Sequence, residues 1–256
     1  MKFFPITLLC FLISATSAPH ELLLEPFKLT KQSAVEFHLQ AQNTKKFNAS
    51  MGKRFGLSDI HGIGNINNLI LYQLALEANT NINLFRAEDE SFKLRTMDFF
   101  IGLPFIISYK AFFYILEYNH CSDHLGDGFP IKIYNKRIIY SRDYLSNYLI
   151  YNPDDDITTN ISYYIGIGQI LRSYPEKLGS KFIEIGIKAF FIDNSLFIFA
   201  NLEYNQDTYY LNESFRIGYK PHQNIGFYHE IYSGKEKRGQ FYNKVITTQS
   251  IGMFIE

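Results

Sequence analysis

The chain of 256 residues has 25 basic and 25 acidic side chains, 46% hydrophobic residues and 17% aromatic residues without a tryptophan. This hydrophobic content is too high for intrinsic disorder, and a net charge of zero provides no basic surface, so nucleic acid is not expected as a partner. The many Phe and Tyr residues favour strands over helices, and the length suits one large domain.

The N-terminal segment has the order of a secretory signal. A basic residue precedes an apolar stretch over residues 3–13, and small residues occupy positions 14–18. That stretch is shorter than the ~20 apolar residues that a membrane-spanning helix requires. We therefore predict that residues 1–18 are a signal peptide and that the rest of the chain is exported. The exported part contains one cysteine, Cys121, which excludes an internal disulfide.

Segments of alternating apolar and polar residues follow along most of the chain. In residues 182–191 one face carries Ile183 and Ile185, while the opposite face carries Glu184. This period of two predicts a strand with one apolar face. The same pattern marks residues 70–78, 160–168, 196–204 and 214–220, with turn-forming residues between the runs. We predict a single all-β domain over residues 19–256, with roughly ten to fourteen strands.

The contents of the two faces distinguish a membrane barrel from a soluble β-domain. The apolar faces repeat Ile, Phe and Tyr, and the opposite faces carry Gly, Ser, Asn and Gln with isolated charges. Strands of about 10 residues with a polar interior are typical of outer-membrane barrels. We predict a closed antiparallel transmembrane β-barrel of about 12 strands in the outer membrane, with outer-membrane lipids as its partners. A soluble exported β-domain is the alternative.

Residues 99–116 are the one stretch that is apolar enough to suggest a membrane-spanning helix. Pro104 and Lys110 interrupt it. We predict instead two strands that meet at residues 102–104, because glycine and proline there weaken a continuous strand.

The densest cluster of reactive side chains lies in residues 113–127. On a strand, His120, Ser122 and His124 share the apolar face, while the intervening residues share the other face. Same-face neighbours are about 6.6–7 Å apart at Cα, so a twisted strand can bring an imidazole near a hydroxyl. A His-x-Ser pair that faces lipid suits a hydrolase that takes acyl esters from the bilayer.

The His120-x-Ser122 arrangement resembles the His-x-Ser of outer-membrane phospholipase A and of lipid A deacylase, barrels whose serine nucleophile faces the membrane. A longer resemblance, from Gly52 onward, is to the domain of unknown function 1207 family. The segments that carry it are residues 98–104, 120–127, 140–143, 232–242 and 250–253. Asp123 and Gly128 depart from the family's usual Ser-Ser-His-Leu-Gly-Asp-Glu motif. This resemblance implies a bacterial outer-membrane barrel and brings no established activity.

A catalytic site needs a third residue that orients His120. Asp143 is the first candidate and Asp127 is the second. A backbone N–H near Gly126 or Gly128 is a candidate donor to the tetrahedral oxygen, because glycine allows close approach.

Two other interpretations of the cluster remain open. The histidines of a strand end can bond neighbouring carboxylates without any chemistry. A metal site would need His120, His124 and an aspartate, but these histidines are about 13 Å apart on a strand. No cofactor is therefore expected. Calcium at residues 154–156 is the alternative to a solvated turn.

Arg142 is a further candidate because it adjoins Asp143. On a strand the two side chains point to opposite faces, and either is expected to pair with a charge on an adjacent strand inside the barrel. The same pairing is expected for Arg216, Lys188 and Glu184.

Two functions are compatible with these features. The first is a structural or passage-forming envelope protein. The alternative is a lipid acyl hydrolase of the phospholipase or lipid A deacylase type, with Ser122 as nucleophile, His120 as base and Asp143 as the orienting residue. Hydrolysis requires an outward site within the lipid band, whereas passage requires a wide polar lumen.

Overall fold

The computed structural model describes residues 35–65, 69–87, 89, 91–126, 140–153, 159–176, 181–192, 195–205, 210–222, 224–236 and 244–255, except for 41–45. Within these residues no helix is long and apolar enough to cross a membrane. The predicted signal peptide, the acidic run at 154–156, Asp127 and Gly128 lie outside the described residues.

Thirteen strands make up the structure. They are β1 (Val35–Gln40), β2 (Lys46–Gly56), β3 (His61–Ile63), β4 (Ile70–Arg86), β5 (Phe92–Tyr109), β6 (Phe112–Leu125), β7 (Tyr140–Tyr151), β8 (Thr159–Tyr174), β9 (Lys181–Phe191), β10 (Leu196–Asn205), β11 (Tyr210–His222), β12 (Ile225–Lys235) and β13 (Val245–Ile255).

The strands form one closed antiparallel barrel. Consecutive strands pair from β4 to β13, and the wall closes because β1 pairs with both β13 and β2, while β2 pairs with β4. The short strand β3 only extends the edge of β4. The other 12 of the 13 strands therefore form the wall, as the sequence predicts.

The two ends of the barrel differ in the lengths of their connections. Short turns join β5 to β6, β9 to β10 and β11 to β12. Longer loops join β6 to β7 and β12 to β13 at the opposite end. We refer to these as the short-turn end and the long-loop end.

The predicted alternation of faces is confirmed. Ile183 and Ile185 are each 48% exposed, whereas Glu184 between them is buried in the barrel. The same outward exposure is found on strands all around the wall, for example at Leu103, Tyr118, Ile165, Leu202, Ile217, Ile231 and Ile251. An apolar outer surface of this extent is typical of a wall that faces lipid.

Glycines on the inward face allow aromatic rings to lie against the wall. Phe182 covers Gly168 and Tyr148 covers Gly166, in each case so closely that a Cβ would overlap the ring. The same arrangement pairs Tyr164 with Gly186, Phe197 with Gly218, Tyr228 with Gly252 and Phe254 with Gly226. These pairs fill the lumen without pushing neighbouring strands apart.

Apolar side chains fill the short-turn half of the lumen. This cluster, the lumen plug, consists of Ala75, Ile106, Ile115, Tyr148, Ile150, Tyr164 and Phe199. Next to it, toward the long-loop end, Arg54 and Glu77 form a buried ion pair, with Arg54 Nε 2.9 Å from Glu77 Oε2. Glu117 lies 3.9 Å from the same guanidinium. The lumen is thus closed by packed side chains on its short-turn side.

The long-loop half of the lumen contains a polar cavity of about 300 Å³. Arg216 lies on its wall and pairs with Glu36 at 3.3 Å and with Glu230 at 3.2 Å. This confirms the expectation that Arg216 pairs with charges inside the barrel. Glu184 lines this cavity and accepts a hydrogen bond from the Tyr164 hydroxyl of the lumen plug at 2.6 Å, so the plug adjoins the cavity.

The predicted turn at residues 102–104 is wrong. Strand β5 continues through these residues as far as Tyr109. The chain reverses instead at Lys110 and Ala111, where Lys110 takes a positive φ of 52°. The segment is therefore two strands that meet at a tight turn six residues beyond Pro104.

Pro104 lies in β5 where the ladder to β4 has a gap. Gly102 pairs with Glu77 and Phe105 pairs with Leu74 in the same register, and the two residues between them have no pair on β4. A proline cannot donate a ladder hydrogen bond, so it is tolerated where the ladder is interrupted.

Candidate active site

Strands β6 and β7 place His120 and Asp143 directly opposite each other in the barrel wall. His120 Nδ1 lies 2.7 Å from Asp143 Oδ1. Both side chains are on the outward face, with the His120 side chain 45% exposed and the Asp143 side chain 22% exposed. A carboxylate at Nδ1 fixes the orientation of the ring and leaves Nε2 for a third group.

The register extends this pair into two rows of outward residues, the site rows, that cross four strands. From β5 to β8 the first row is Ile101, His120, Asp143 and Arg172. The second row, nearer the long-loop end, is Phe99, Ser122, Ser141 and Tyr174. The polar members lie on β6 to β8, and large apolar side chains on β5 border them.

Ser122 is half-buried and shares the outward face with His120. Two positions along one strand place their Cα atoms about 6.6–7 Å apart. Among the described residues, the hydrogen bonds of His120 include the one to Asp143 and none to the Ser122 hydroxyl. Catalytic hydrogen bonds are often long before substrate binds and shorten in the complex. The structure thus brings His120 and Asp143 into contact and places Ser122 beside them.

A β-bulge sets Arg172 next to the pair. The register between β7 and β8 shifts so that Asp143 pairs with Arg172 and Tyr144 pairs with Ile170. The extra residue, Leu171, and Arg172 itself are both exposed. Bulges commonly redirect side chains next to functional sites. Arg172 is not among the residues predicted from the sequence, because only the register shows the bulge that brings it beside Asp143.

Tyr118 approaches the pair from the side of the short-turn end. It lies two positions before His120 on the same outward face and is 41% exposed. Its hydroxyl lies within electrostatic range of the Asp143 carboxylate and of the Arg172 guanidinium. Asp143 is therefore the centre of a polar cluster that contains an imidazole, a phenol and a nearby guanidinium.

Arg142 lies on the other side of the wall. Its guanidinium lines the luminal cavity, 5.6 Å from the ring centroids of both Tyr140 and Tyr144. Arg142 and Asp143 do point to opposite faces, as predicted. However, Asp143 makes its contact outside the barrel, with His120, so the expected pairing inside the barrel is wrong for this carboxylate.

His124 lies two positions beyond Ser122 and packs edge-on against Phe99, with ring centroids 5.9 Å apart. The structure therefore separates it from His120. In the part of the chain that is described, no group of three or more His, Cys, Asp or Glu side chains is arranged to hold a metal ion.

Of the N–H groups near Gly126, the one of Gly126 itself is already engaged in the barrel wall. It donates to the carbonyl oxygen of Arg95 at 2.8 Å. A Cβ at residue 126 would overlap the backbone of Leu94, so the glycine allows the close approach of β5.

Solved structures with a similar fold are outer-membrane barrels. Outer membrane phospholipase A from Escherichia coli matches with a TM-score of 0.62 and 14% identity, over 92% of this chain and 95% of that chain. The outer membrane phospholipase of Salmonella typhi, solved as a dimer with bound calcium, matches with a TM-score of 0.65 and 15% identity, over 92% and 94%. KdgM porin matches with a TM-score of 0.44 and 10% identity, over 87% and 97%.

No protein-family model matches the chain, and no characterised protein sequence matches it significantly. The resemblance to the domain of unknown function 1207 family stays a prediction from the sequence. The solved structures share the fold at low identity. The chain is thus an all-β, closed antiparallel barrel of 12 wall strands with the fold of outer-membrane β-barrels, which confirms the predicted fold class.

Proposed function

We propose that this chain is an outer-membrane lipid acyl hydrolase in which Ser122 is the nucleophile, His120 the general base and Asp143 the residue that orients His120. The observation that carries the proposal is the 2.7 Å contact between His120 Nδ1 and Asp143 Oδ1 on the outward face. Ionisable side chains on an apolar outer surface are costly to keep, so they indicate a functional site.

The reaction follows from the positions of these three groups. The Ser122 oxygen attacks the ester carbonyl carbon while His120 Nε2 takes the hydroxyl proton. The tetrahedral intermediate breaks its bond to the alcohol, which leaves as a lysolipid after His120 returns the proton. Water then attacks the acyl-serine ester, again giving its proton to His120. The fatty acid leaves and the Ser122 hydroxyl is restored.

Asp143 keeps the ring of His120 in place throughout this cycle. It accepts a hydrogen bond from Nδ1–H and stabilises the positive charge that forms when Nε2 is protonated. Because the contact lies between two strands of a hydrogen-bonded wall, the imidazole is held by a rigid part of the barrel.

The location of the site rows suits a substrate in the bilayer. They lie in the long-loop half of the wall, and in outer-membrane barrels the longer loops are extracellular. We infer that the site faces the outer leaflet near its polar boundary. The similarity in fold to two outer-membrane phospholipases supports this reaction class by analogy.

The passage-forming role has less support. A channel needs a continuous polar lumen, whereas the lumen plug and the Arg54–Glu77 ion pair fill the short-turn half of this barrel. A structural envelope role does not need the His120–Asp143 pair. We also retain, as a proposal, membership of the domain of unknown function 1207 family on the motifs quoted above.

The test is acyl release by the refolded protein in detergent and in lipid vesicles. Wild type should release fatty acid from phospholipid or lipid A, and S122A and H120A should lower the rate by about a thousandfold or more. A fluorophosphonate probe should label Ser122 in wild type and should fail to label it in H120A, because the probe reacts with an activated serine.

Ser141 offers the matched control. It lies opposite Ser122 in the register and on the same face, so S141A removes a neighbouring hydroxyl without removing the proposed nucleophile. S141A should keep its activity and its labelling. Heat-modifiable gel migration should be the same for all variants. Absence of release and of labelling by folded wild type, across several lipids with and without calcium, would contradict the proposal.

A further inference from the structure

We propose that Arg172 binds the phosphate of the lipid whose ester is cleaved, so that the site selects phosphate-bearing lipids over neutral ones. The inference rests on the proposed function and adds the substrate class. It is carried by the place of Arg172 in the first site row, immediately beside Asp143 on the outward face.

The geometry places the proposed general base and the proposed phosphate-binding residue on either side of Asp143. His120 and Arg172 flank Asp143 on neighbouring strands, so their Cα atoms are about 10 Å apart, twice the spacing between adjacent strands. In a glycerophospholipid the phosphate and the acyl esters are attached to the same glycerol unit. One lipid can therefore present its ester to Ser122 while its phosphate meets the guanidinium, whose long side chain bridges the remaining distance.

The Arg172 guanidinium forms no ion pair with a carboxylate of the described residues. Asp143 lies opposite Arg172, but the close contact of the Asp143 carboxylate is with His120 Nδ1. Among the described residues the ion pairs include none of Arg172, although it acts electrostatically on Tyr118. An exposed arginine on an apolar outer wall is costly unless an anion meets it at the membrane surface. A phosphate is the anion that a bilayer supplies at that depth, and a guanidinium binds it through paired N–H groups.

A second cation extends the same surface. Lys181 begins β9, is exposed, and lies opposite Gln169 in the register with β8. Its alternation with buried Phe182 places it on the outward face. Arg172 and Lys181 thus form a basic edge along the long-loop side of β8 and β9, whereas the β5 side of the site rows is apolar. This asymmetry orients a lipid with its headgroup toward β8 and its chains toward β5.

The experiment compares two short-chain substrates in neutral-detergent micelles, dioctanoyl phosphatidylglycerol and dioctanoylglycerol. They carry the same esters and differ in the phosphate headgroup. R172Q should raise KM for the phospholipid about tenfold, with kcat nearly unchanged, and should leave both constants for dioctanoylglycerol unchanged. R172K should recover part of the loss, because a point charge replaces the paired donors.

The matched control is K53Q. Lys53 is also an exposed outward cation, but it lies on β2, across the barrel from β8. K53Q should leave KM for both substrates at the wild-type value. An equal rise of KM in K53Q and R172Q would overturn the proposal, because it would assign the effect to net charge alone. An equal fall of kcat on both substrates in R172Q would also overturn it, because it would assign the guanidinium to the reacting ester.

Binding measured without hydrolysis separates this inference from the proposed function. A fluorescent diether phosphatidylglycerol has no ester, and its anisotropy in micelles reports binding alone. Tighter binding by wild type than by R172Q supports phosphate recognition even if no substrate is hydrolysed. Equal binding overturns it. Inorganic phosphate should not displace the diether lipid at equal concentration, and displacement would overturn the assignment to a lipid phosphate.

Discussion

The ring of Phe182 lies against Gly168 on the neighbouring strand, so closely that a methyl group at residue 168 would overlap two of its carbon atoms. Phe182 is buried in the lumen with Tyr144, whose ring meets it edge-on at 6.0 Å between centroids. The glycine therefore determines where an aromatic ring can pack behind the site rows.

G168A should destabilise the barrel by about 1–3 kcal/mol, because the ring must leave a packed position. F182L should be destabilising as well, since it uncovers the glycine. The double variant G168A/F182L should be less destabilised than the sum of the two single variants, because the smaller side chain makes room for the methyl group. Urea unfolding in detergent, followed by far-UV circular dichroism, measures all three; strict additivity would contradict the packing argument.

R54M should destabilise the barrel by about 3–5 kcal/mol. It leaves the Glu77 carboxylate buried in the lumen, where the Glu77 side chain is only 7% exposed, without its guanidinium partner. The double variant R54M/E77M should be more stable than R54M, because only Glu117 then lacks the guanidinium, whereas in R54M both buried carboxylates lack it. The same unfolding experiment tests this order. A double variant less stable than R54M would show that the ion pair has a net stabilising role.

D143A should lower kcat for lipid hydrolysis by about a hundredfold to a thousandfold, because the imidazole loses its orienting acceptor. D143N should be less impaired than D143A, since its amide oxygen can still accept a hydrogen bond from Nδ1–H at the position where Asp143 Oδ1 lies 2.7 Å from the ring. Steady-state kinetics with one short-chain lipid measures both. Activity of D143A at the wild-type level would show that Asp143 does not orient His120 for catalysis.

The wild-type barrel should not form stable ion channels in planar bilayers. The lumen plug closes the short-turn half, and Tyr148 and Tyr164 contribute its largest rings. Replacing both tyrosines with alanine should produce measurable conductance, because the luminal cavity would then connect to the other end. Conductance of the wild type equal to that of a porin measured in parallel would contradict this and would support passage.

The strand pattern was predictable because apolar side chains repeat on one face of each strand and small or polar side chains repeat on the other. The contrast between exposed Ile183 and buried Glu184 is present in the sequence itself, and a wall with lipid outside and polar groups inside follows from it. The turn at residues 102–104 was predicted wrongly because Pro104 was interpreted as a strand breaker. It is tolerated where the ladder to β4 has no pair at residue 104, a detail that sequence periodicity does not contain.

In the candidate site, too, some features were predictable from the sequence and others were not. Asp143 was the first candidate to orient His120, and the structure places the two in contact, because residues on one face of adjacent strands meet when the register aligns them. Arg172 was missed because a bulge moves it by one residue, which the alternation of β8 cannot indicate. That the Gly126 N–H donates to the Arg95 carbonyl oxygen was not predictable, because the acceptor lies on another strand.

The outward direction of His120 also determines how a molecule reaches it. The His120 side chain is 45% exposed on the outer wall, and its position on the strand points it away from the lumen. Under the proposed function, the substrate lipid therefore arrives by lateral diffusion within the leaflet rather than from bulk water. The encounter rate depends on the surface density of that lipid around the barrel. Dilution of a substrate with inert lipid should slow the reaction even when its total concentration in the sample is constant.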